Sequence, residues 1–288
     1  MNLAAMNAEG VSAPARTGGA RTGARENRPG DPGASNPGDC PDRSRPVRTL
    51  AQEHESGQSV ARHSHRRAQL LYAACGVMEA VTARGAWVVP PRQAVWIPAG
   101  VEHEVRYRTR ASIRSLYVHA SRAERMSAEC MVVNVSPLLA ELVMKLVEMD
   151  PGNEGGGRCA RLIDVLLDEL DALQPAPLHL PLPEDARLRP IVDALQSDPG
   201  DNRSLEQWAD IVGASARTLA RAFVADTGLS FGAWRQQLKL HEAMTRLGDG
   251  QSITAVALDL GYQSPSAFIA MFRRALGAPP ARYFRDFD

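Results

Sequence analysis

Ser252-Ile253-Thr254-Ala255-Val256-Ala257-Leu258-Asp259-Leu260-Gly261-Tyr262-Gln263-Ser264-Pro265-Ser266-Ala267-Phe268-Ile269-Ala270-Met271-Phe272-Arg273-Arg274-Ala275-Leu276-Gly277 restates an earlier stretch of the same chain. Ser204, Leu205, Trp208, Ala209, Val212 and Gly213 stand 48 residues before Ser252, Ile253, Val256, Ala257, Leu260 and Gly261. Ser215, Phe223, Gly228 and Trp234 stand 49 before Ser264, Phe272, Gly277 and Tyr283. The extra residue falls in the turn, where an insertion is best tolerated. A repeated helix–glycine turn–helix unit has a shape that enters the DNA major groove.

Each unit reads physically. Leu205, Trp208, Ala209 and Val212 lie at i, i+3, i+4 and i+7, one apolar stripe on a short helix. Ser204 with Gln207 makes a capping-box pattern, and Gly213 supplies a stop. Ser215 caps the next helix, whose inner stripe is Leu219, Ala222 and Phe223. In the second unit Ser252 caps, and Ser264-Pro265 begins the following helix, since Pro suits the first helical position. Phe268, Met271 and Phe272 face inward. The plainer alternative is two helical hairpins of an ordinary all-α domain.

The segment from Gly261 to Tyr283 resembles the signature of the AraC/XylS family of bacterial transcription regulators. That signature pairs Gly-aromatic, a Ser-rich turn, Phe-x3-Phe-basic, Gly, and then Pro before an aromatic-basic end. The resemblance covers roughly Asp185 to Arg285. It implies a seven-helix DNA-binding domain, with two helix-turn-helix units joined by a rigid helix. Phe231 to Leu247 is the candidate for that helix, about 25 Å long at 1.5 Å per residue.

The chain has 288 residues, enough for two domains, and a formal net charge of zero. Residues 185–288 hold twelve Lys/Arg and twelve Asp/Glu. That balance argues against a purely electrostatic DNA binder but not against sequence-specific readout, which needs few well-placed groups. Cys40, Cys75, Cys130 and Cys159 form no CxxC pair, so reduced thiols in a cytoplasmic protein are expected. No apolar run is long enough for a membrane span, and no membrane partner is expected.

The expected organisation is α+β. Residues 1–48, rich in Gly, Pro, Ala, Arg and Ser, read as a disordered tail. Residues 49–135 carry many short apolar runs punctuated by Gly76, Gly85, Pro90-Pro91 and Pro98-Ala99-Gly100, which argue for an antiparallel sandwich or barrel. Residues 136–174 read as two leucine-striped helices, either plain core or a dimer contact; the family resemblance raises the latter. The proline-rich 175–184 reads as a stiff linker, and 185–288 as the DNA-binding domain.

His63-Ser64-His65 with Gln69, and Pro98-Ala99-Gly100-Val101-Glu102-His103, are similar to the two cupin motifs. The resemblance implies a cupin-like antiparallel β-barrel with flanking helices. Enzymatic cupins place a Glu where Gln69 stands, and amide is a poorer ligand for a divalent cation. No catalytic residue and no cofactor are therefore assigned. His63, His65 and His103 remain a minor alternative as a divalent-metal site. The leading expectation is a metal-free sensory pocket for a small-molecule effector, with His63, His65, Gln69, Tyr72, Trp87, Trp96 and His103 as candidate lining.

A cupin-like domain fused to an AraC-type module resembles ligand-responsive regulators, not enzymes. On the first recognition helix, inward Leu219 and Phe223 leave Ala216, Arg217 and Arg221 outward, with Ser215 at the start. On the second, Ser266 faces outward. The expected division is sequence readout by the first unit and phosphate grip by Gln263, Ser264, Arg273 and Arg282 of the second. Expected partners are promoter DNA, a small-molecule effector and a second copy of the chain, with RNA polymerase a further candidate. The rivals are a metal-dependent cupin enzyme carrying a DNA-binding domain, and a nonspecific architectural DNA binder.

Overall fold

The computed structural model describes residues 37–42, 44–149 and 157–285. The tail expectation for 1–36 and most of the Gly-rich segment 152–157 lie outside the described residues.

Ten strands form two antiparallel five-stranded sheets. The first has the order β1 (Val47–His54), β8 (Ala111–Val118), β3 (Ala68–Cys75), β6 (Gln93–Ile97) and β9 (Met131–Asn134). The second runs β10 (His179–Pro181), β5 (Gly85–Val89), β4 (Met78–Thr82), β7 (His103–Tyr107) and β2 (Ser59–His63). The sheets face each other and do not join into the closed barrel that was expected. The sequence reason lies between β5 and β6. Pro90-Pro91 offers no ladder donor, and Arg92 takes φ 61°, so the chain leaves one sheet and enters the other. Arg92 N then donates to Ala73 O of β3.

Strand alternation sorts the residues by face. Leu71, Ala73, Val95, Ile97, Ile113 and Val132 of the first sheet meet Met78, Ala80, Trp87, Val89, Val105 and Tyr107 of the second. The other face of the first sheet, with Leu70, Tyr72, Trp96, Leu116 and Val118, is covered by α1 (Pro137–Met149) and α2 (Arg158–Asp171). Leu139, Leu142, Leu146, Leu166 and Leu170 are buried there, so most of the leucine stripe is core. Leu138 (51% exposed) and Val165 (42%) point outward.

Residues ahead of β1 are not loose. Pro37–Asp39 forms a 3-10 turn, and Gly38 packs on the His65 ring so tightly that any Cβ there would collide. The Arg67 side chain, 1% exposed, donates to the carbonyl oxygens of Cys40, Asp42 and Arg45 at 2.7–2.9 Å. Residues 37–46 thus form a strap held across one end of the sandwich. This differs from the expected tail, because carbonyls rather than apolar side chains fix the segment.

The C-terminal part is helical: α3 (Arg189–Ser197), α4 (Leu205–Val212), α5 (Ala216–Thr227), α6 (Phe231–Gly248), α7 (Ile253–Asp259), α8 (Pro265–Leu276) and α9 (Pro280–Arg285). The predicted caps are present. Ser204 and Gln207 close a reciprocal capping box, Ser215 Oγ accepts from Thr218 N, and Ser264 Oγ accepts from Ala267 N. Gly213, Gly228 and Gly277 end their helices at φ of 70–77°, the left-handed region glycine enters freely. The first helix pair, α4–α5, buries Trp208, Leu219 and Phe223 in one core; the second, α7–α8, buries Val256, Leu260, Phe268 and Phe272 in another. α6 feeds both, giving Phe231, Trp234 and Leu238 to the first and Leu240, Met244 and Leu247 to the second.

The segment expected as a linker is tied to both halves. β10 pairs with β5 in the register Leu180↔Ala86. From α6, Trp234 Nε1 donates to Pro181 O (2.7 Å), Gln237 Nε2 to Pro177 O (2.6 Å) and His241 Nε2 to Leu178 O (3.1 Å). Farther along, Tyr283 Oη accepts from Gln93 Nε2 at 2.8 Å, and a Cβ at Gly248 would collide with Val77.

Candidate effector pocket and nucleic-acid interface

His63 ends β2, His103 begins β7, and the two are paired across the strands. His65 follows in the turn. The three rings lie 4.4–5.2 Å apart by centroid, and one nitrogen from each falls within 4.8 Å of the others. His63 Nδ1 donates to Ala61 O (2.7 Å) and His103 Nδ1 to Val101 O (2.9 Å). Those bonds fix the tautomer and leave each Nε2 with its lone pair. His103 Nε2 is buried without a partner. Burial holds the His65 and His103 imidazoles down at about 4, the neighbouring His63 adding to the effect, so both are neutral at neutral pH.

Across the gap, Gln69 of β3 donates through Nε2 to Ser115 Oγ (3.3 Å) and Tyr117 Oη (3.2 Å), and its Oε1 is buried without a partner. The Tyr117 ring sits 5.1 Å from His65. The structure therefore brings together His63, His65, His103 and Gln69, and adds Ser115 and Tyr117, which the sequence reading missed. The signal was there: in β8 Ser115 and Tyr117 are two apart, and Gln69 registers with Tyr117.

The other expected lining residues go elsewhere. Tyr72 and Trp96 lie on the helix-covered face of the first sheet, away from the histidines. Tyr72 is three residues from Gln69, an odd step that places it on the opposite face. Trp96 registers with Leu70 on that same face, and its Nε1 donates to Ser127 O (2.9 Å). Trp87 does face the sandwich interior, but its ring stacks on His179 of β10, 4.5 Å away.

On the helical domain, α5 exposes Arg217 and Arg221, with Ala216 half-buried beside them and Ser215 exposed at its cap. Val224, 52% exposed, continues that face and was not singled out from sequence. On α8, Ser266, Ala267, Ala270, Arg273 and Arg274 are exposed over buried Phe268 and Phe272. Gln263 and Arg282 are exposed, and Ser264 is half-buried as a cap. Arg187, Arg203 and Arg246 of this domain are ion-paired. Arg217, Arg221, Arg273, Arg274 and Arg282 have no carboxylate within 4 Å among the described residues.

Residues 45–174 match the AraC-like ligand binding domain, and residues 208–286 a helix-turn-helix domain. The HTH-type transcriptional regulator NimR of Escherichia coli (strain K12) is 39% identical over 221 residues, 77% of this chain and 81% of that protein. The chain belongs to the AraC/XylS family. This AraC-type regulator combines a ligand-binding N-terminal domain with a DNA-binding helical one. The HTH-type transcriptional regulator RipA of Corynebacterium glutamicum is 40% identical over 103 residues, 36% of this chain and 31% of its own. Among solved structures, ToxT from Vibrio cholerae covers 84% of this AraC-type chain and 98% of its own at 9% identity and a TM-score of 0.36. No helix among the described residues is long and apolar enough to cross a membrane.

Proposed function

We propose that this regulator is a cytoplasmic homodimer without enzymatic activity. In this reading α5 recognises promoter sequence while the α7–α8 pair grips phosphate, each pair acting as a helix-turn-helix unit. The observation that carries it is the set of arginines on the outward faces of α5, α8 and α9 that have no carboxylate within 4 Å among the described residues. Arg217 and Arg221 share one face and can each take a guanine edge, while Arg273, Arg282 and the exposed Gln263 suit phosphate. In this reading the effector binds at the histidine end of the facing sheets, oriented by His63, His65, His103, Gln69, Ser115 and Tyr117 in a cupin-like arrangement. Exposed Leu138 and Val165 on α1 and α2 supply the apolar part of the dimer contact, and bound RNA polymerase would read the outcome.

Mapping the bound sites genome-wide, followed by gel shifts with competitor DNA, tests the reading. A defined sequence that survives competition supports it; equal affinity for unrelated DNA favours an architectural binder.

A second reading of the pocket is favoured by the partnerless His103 Nε2 and by three convergent imidazoles. The donor set fits a first-row divalent cation such as zinc held by three histidines with an open position. His63 and His103 would ligate through Nε2, and the ion would offer the effector a Lewis-acid contact. Elemental analysis of purified protein separates the two: about one metal per chain supports the cation, a trace content the metal-free pocket.

A further inference from the structure

A cleft of about 410 Å³ opens between α6 and the start of α8. Arg235 and Lys239 of α6 line it from one side, Gln263 and Arg274 from the other, and no carboxylate is among its lining residues. Asp201 pairs with Arg203 and Asp198 Oδ1 accepts from Gly200 N; both reach Lys239 only through longer-range attraction, as Asp201 does Arg235. Lys239 is 7% exposed; its Nζ donates to Asn202 Oδ1 (2.8 Å) and stands 5.4 Å from the Tyr262 ring. Asn202 Nδ2 in turn donates to Gly261 O (2.8 Å). The floor of the cleft therefore ties the loop before α4 to the turn between α7 and α8.

The position of the cleft gives it meaning. Two helices seated in successive major grooves on one face of a duplex leave a minor groove, with both its phosphate backbones, facing whatever joins them. Here α6 is that element. A buried ammonium and two guanidiniums, none with a carboxylate within 4 Å among the described residues, form an anion-seeking surface in a domain whose charges otherwise balance. Burial, with Arg235 nearby, pushes Lys239 down to about 8, and an approaching phosphate would favour its charged form.

We propose that this cleft is a phosphate clamp, in which Arg235, Lys239 and Arg274 hold the DNA backbone that crosses between the two recognition helices. The clamp rests on the groove-reading function proposed above. It supplies affinity and sets the register of the two helix pairs without reading bases.

The test uses the full chain and a 40-base-pair duplex enriched by it from a random pool, with affinity followed by fluorescence anisotropy across a salt series. Arg274→Ala and Arg235→Ala should each lower the slope of log affinity against log salt by about one, so that a fourfold rise in salt costs each variant about three- to fourfold less affinity than wild type. Discrimination against a scrambled duplex should be retained. Neutral methylphosphonates at the central phosphates should weaken wild type more than they weaken Arg274→Ala, which keeps Arg235 and Lys239. An enriched duplex on which Arg274→Ala keeps the wild-type slope, or on which both proteins respond equally to methylphosphonate, overturns the clamp alone. Enrichment of no sequence overturns the groove-reading premise and the clamp with it.

Discussion

Arg221 and Arg282 are chemically alike and differ in where the helices put them. Arg221 sits on the outward face of α5, four residues from Arg217, and Arg282 on α9 beyond the second helix pair. Arg221→Ala should therefore relax sequence preference, by about 1–3 kcal/mol at one base position. Arg282→Ala should weaken binding evenly across sequences. Anisotropy on a matched and a mismatched duplex checks both, and equal loss of discrimination in the two variants would refute the division. Burial also sets the protonation of the enclosed histidines. His65 and His103 at about 4, and His241 at about 3, all lie below the free imidazole near 6.5 because burial disfavours the charged ring. The folded chain then binds fewer protons than the unfolded chain. Stability is full above about pH 6.5 and falls as pH drops from 6.5 toward 3–4, by up to about 1.4 kcal/mol per pH unit for each ring. His241→Gln keeps a donor for Leu178 O and removes one titrating site, so its melting temperature should fall less between pH 7 and pH 5. Identical pH profiles would count against the assignment.

At the scale of elements, α6 is the piece whose loss should hurt most. Trp234 is fully buried in the core of the first helix pair, and its indole N–H satisfies Pro181 O. Trp234→Ala should cost about 3–5 kcal/mol, whereas loss of the exposed cap in Ser204→Ala should cost about 1 kcal/mol. Chemical denaturation measures both. The helices were legible in the sequence because their signals are local: Ser204, Ser215 and Ser264 at the starts, Gly213, Gly228 and Gly277 at the stops. The sheets were less so. Pro90-Pro91 was readable as punctuation, but its role in sending the chain to the other sheet depends on which strands are waiting there. β10 was hidden because prolines flank it and end it, and only β5 supplies the ladder that makes it a strand. In the pocket, His63, His65, Gln69 and His103 were visible as a pattern. Tyr72 and Trp96 were misplaced because parity along the strands was not applied to them. Ser115 and Tyr117 are ordinary strand residues until the register with β3 is known.

At the scale of the molecule, the two domains share packing. The cluster that fills the sandwich interior runs on through Leu240, Met244 and Leu247 into the second helix pair, and Tyr283 bonds to Gln93 across the boundary. A single calorimetric transition is therefore expected for the full chain. Gly248 lies against Val77 where no side chain fits, so Gly248→Val should push the halves apart and split the transition in two. A variant that still melts in one step would mean that the contact does not couple them. Because the sandwich and α6 are so joined, a change in strand spacing has a direct mechanical route to both helix pairs, α4–α5 and α7–α8.

Arg67 carries a consequence for how the protein can be trimmed. Its guanidinium is desolvated, and among the described residues its hydrogen-bond partners are backbone oxygens of the strap rather than a carboxylate. Proteolytic nicking ahead of residue 36 should leave a competent regulator. Removal of residues 37–46 would take away the carbonyls that hold the Arg67 guanidinium and bare the His65 ring, and the melting temperature of the shortened polypeptide should fall.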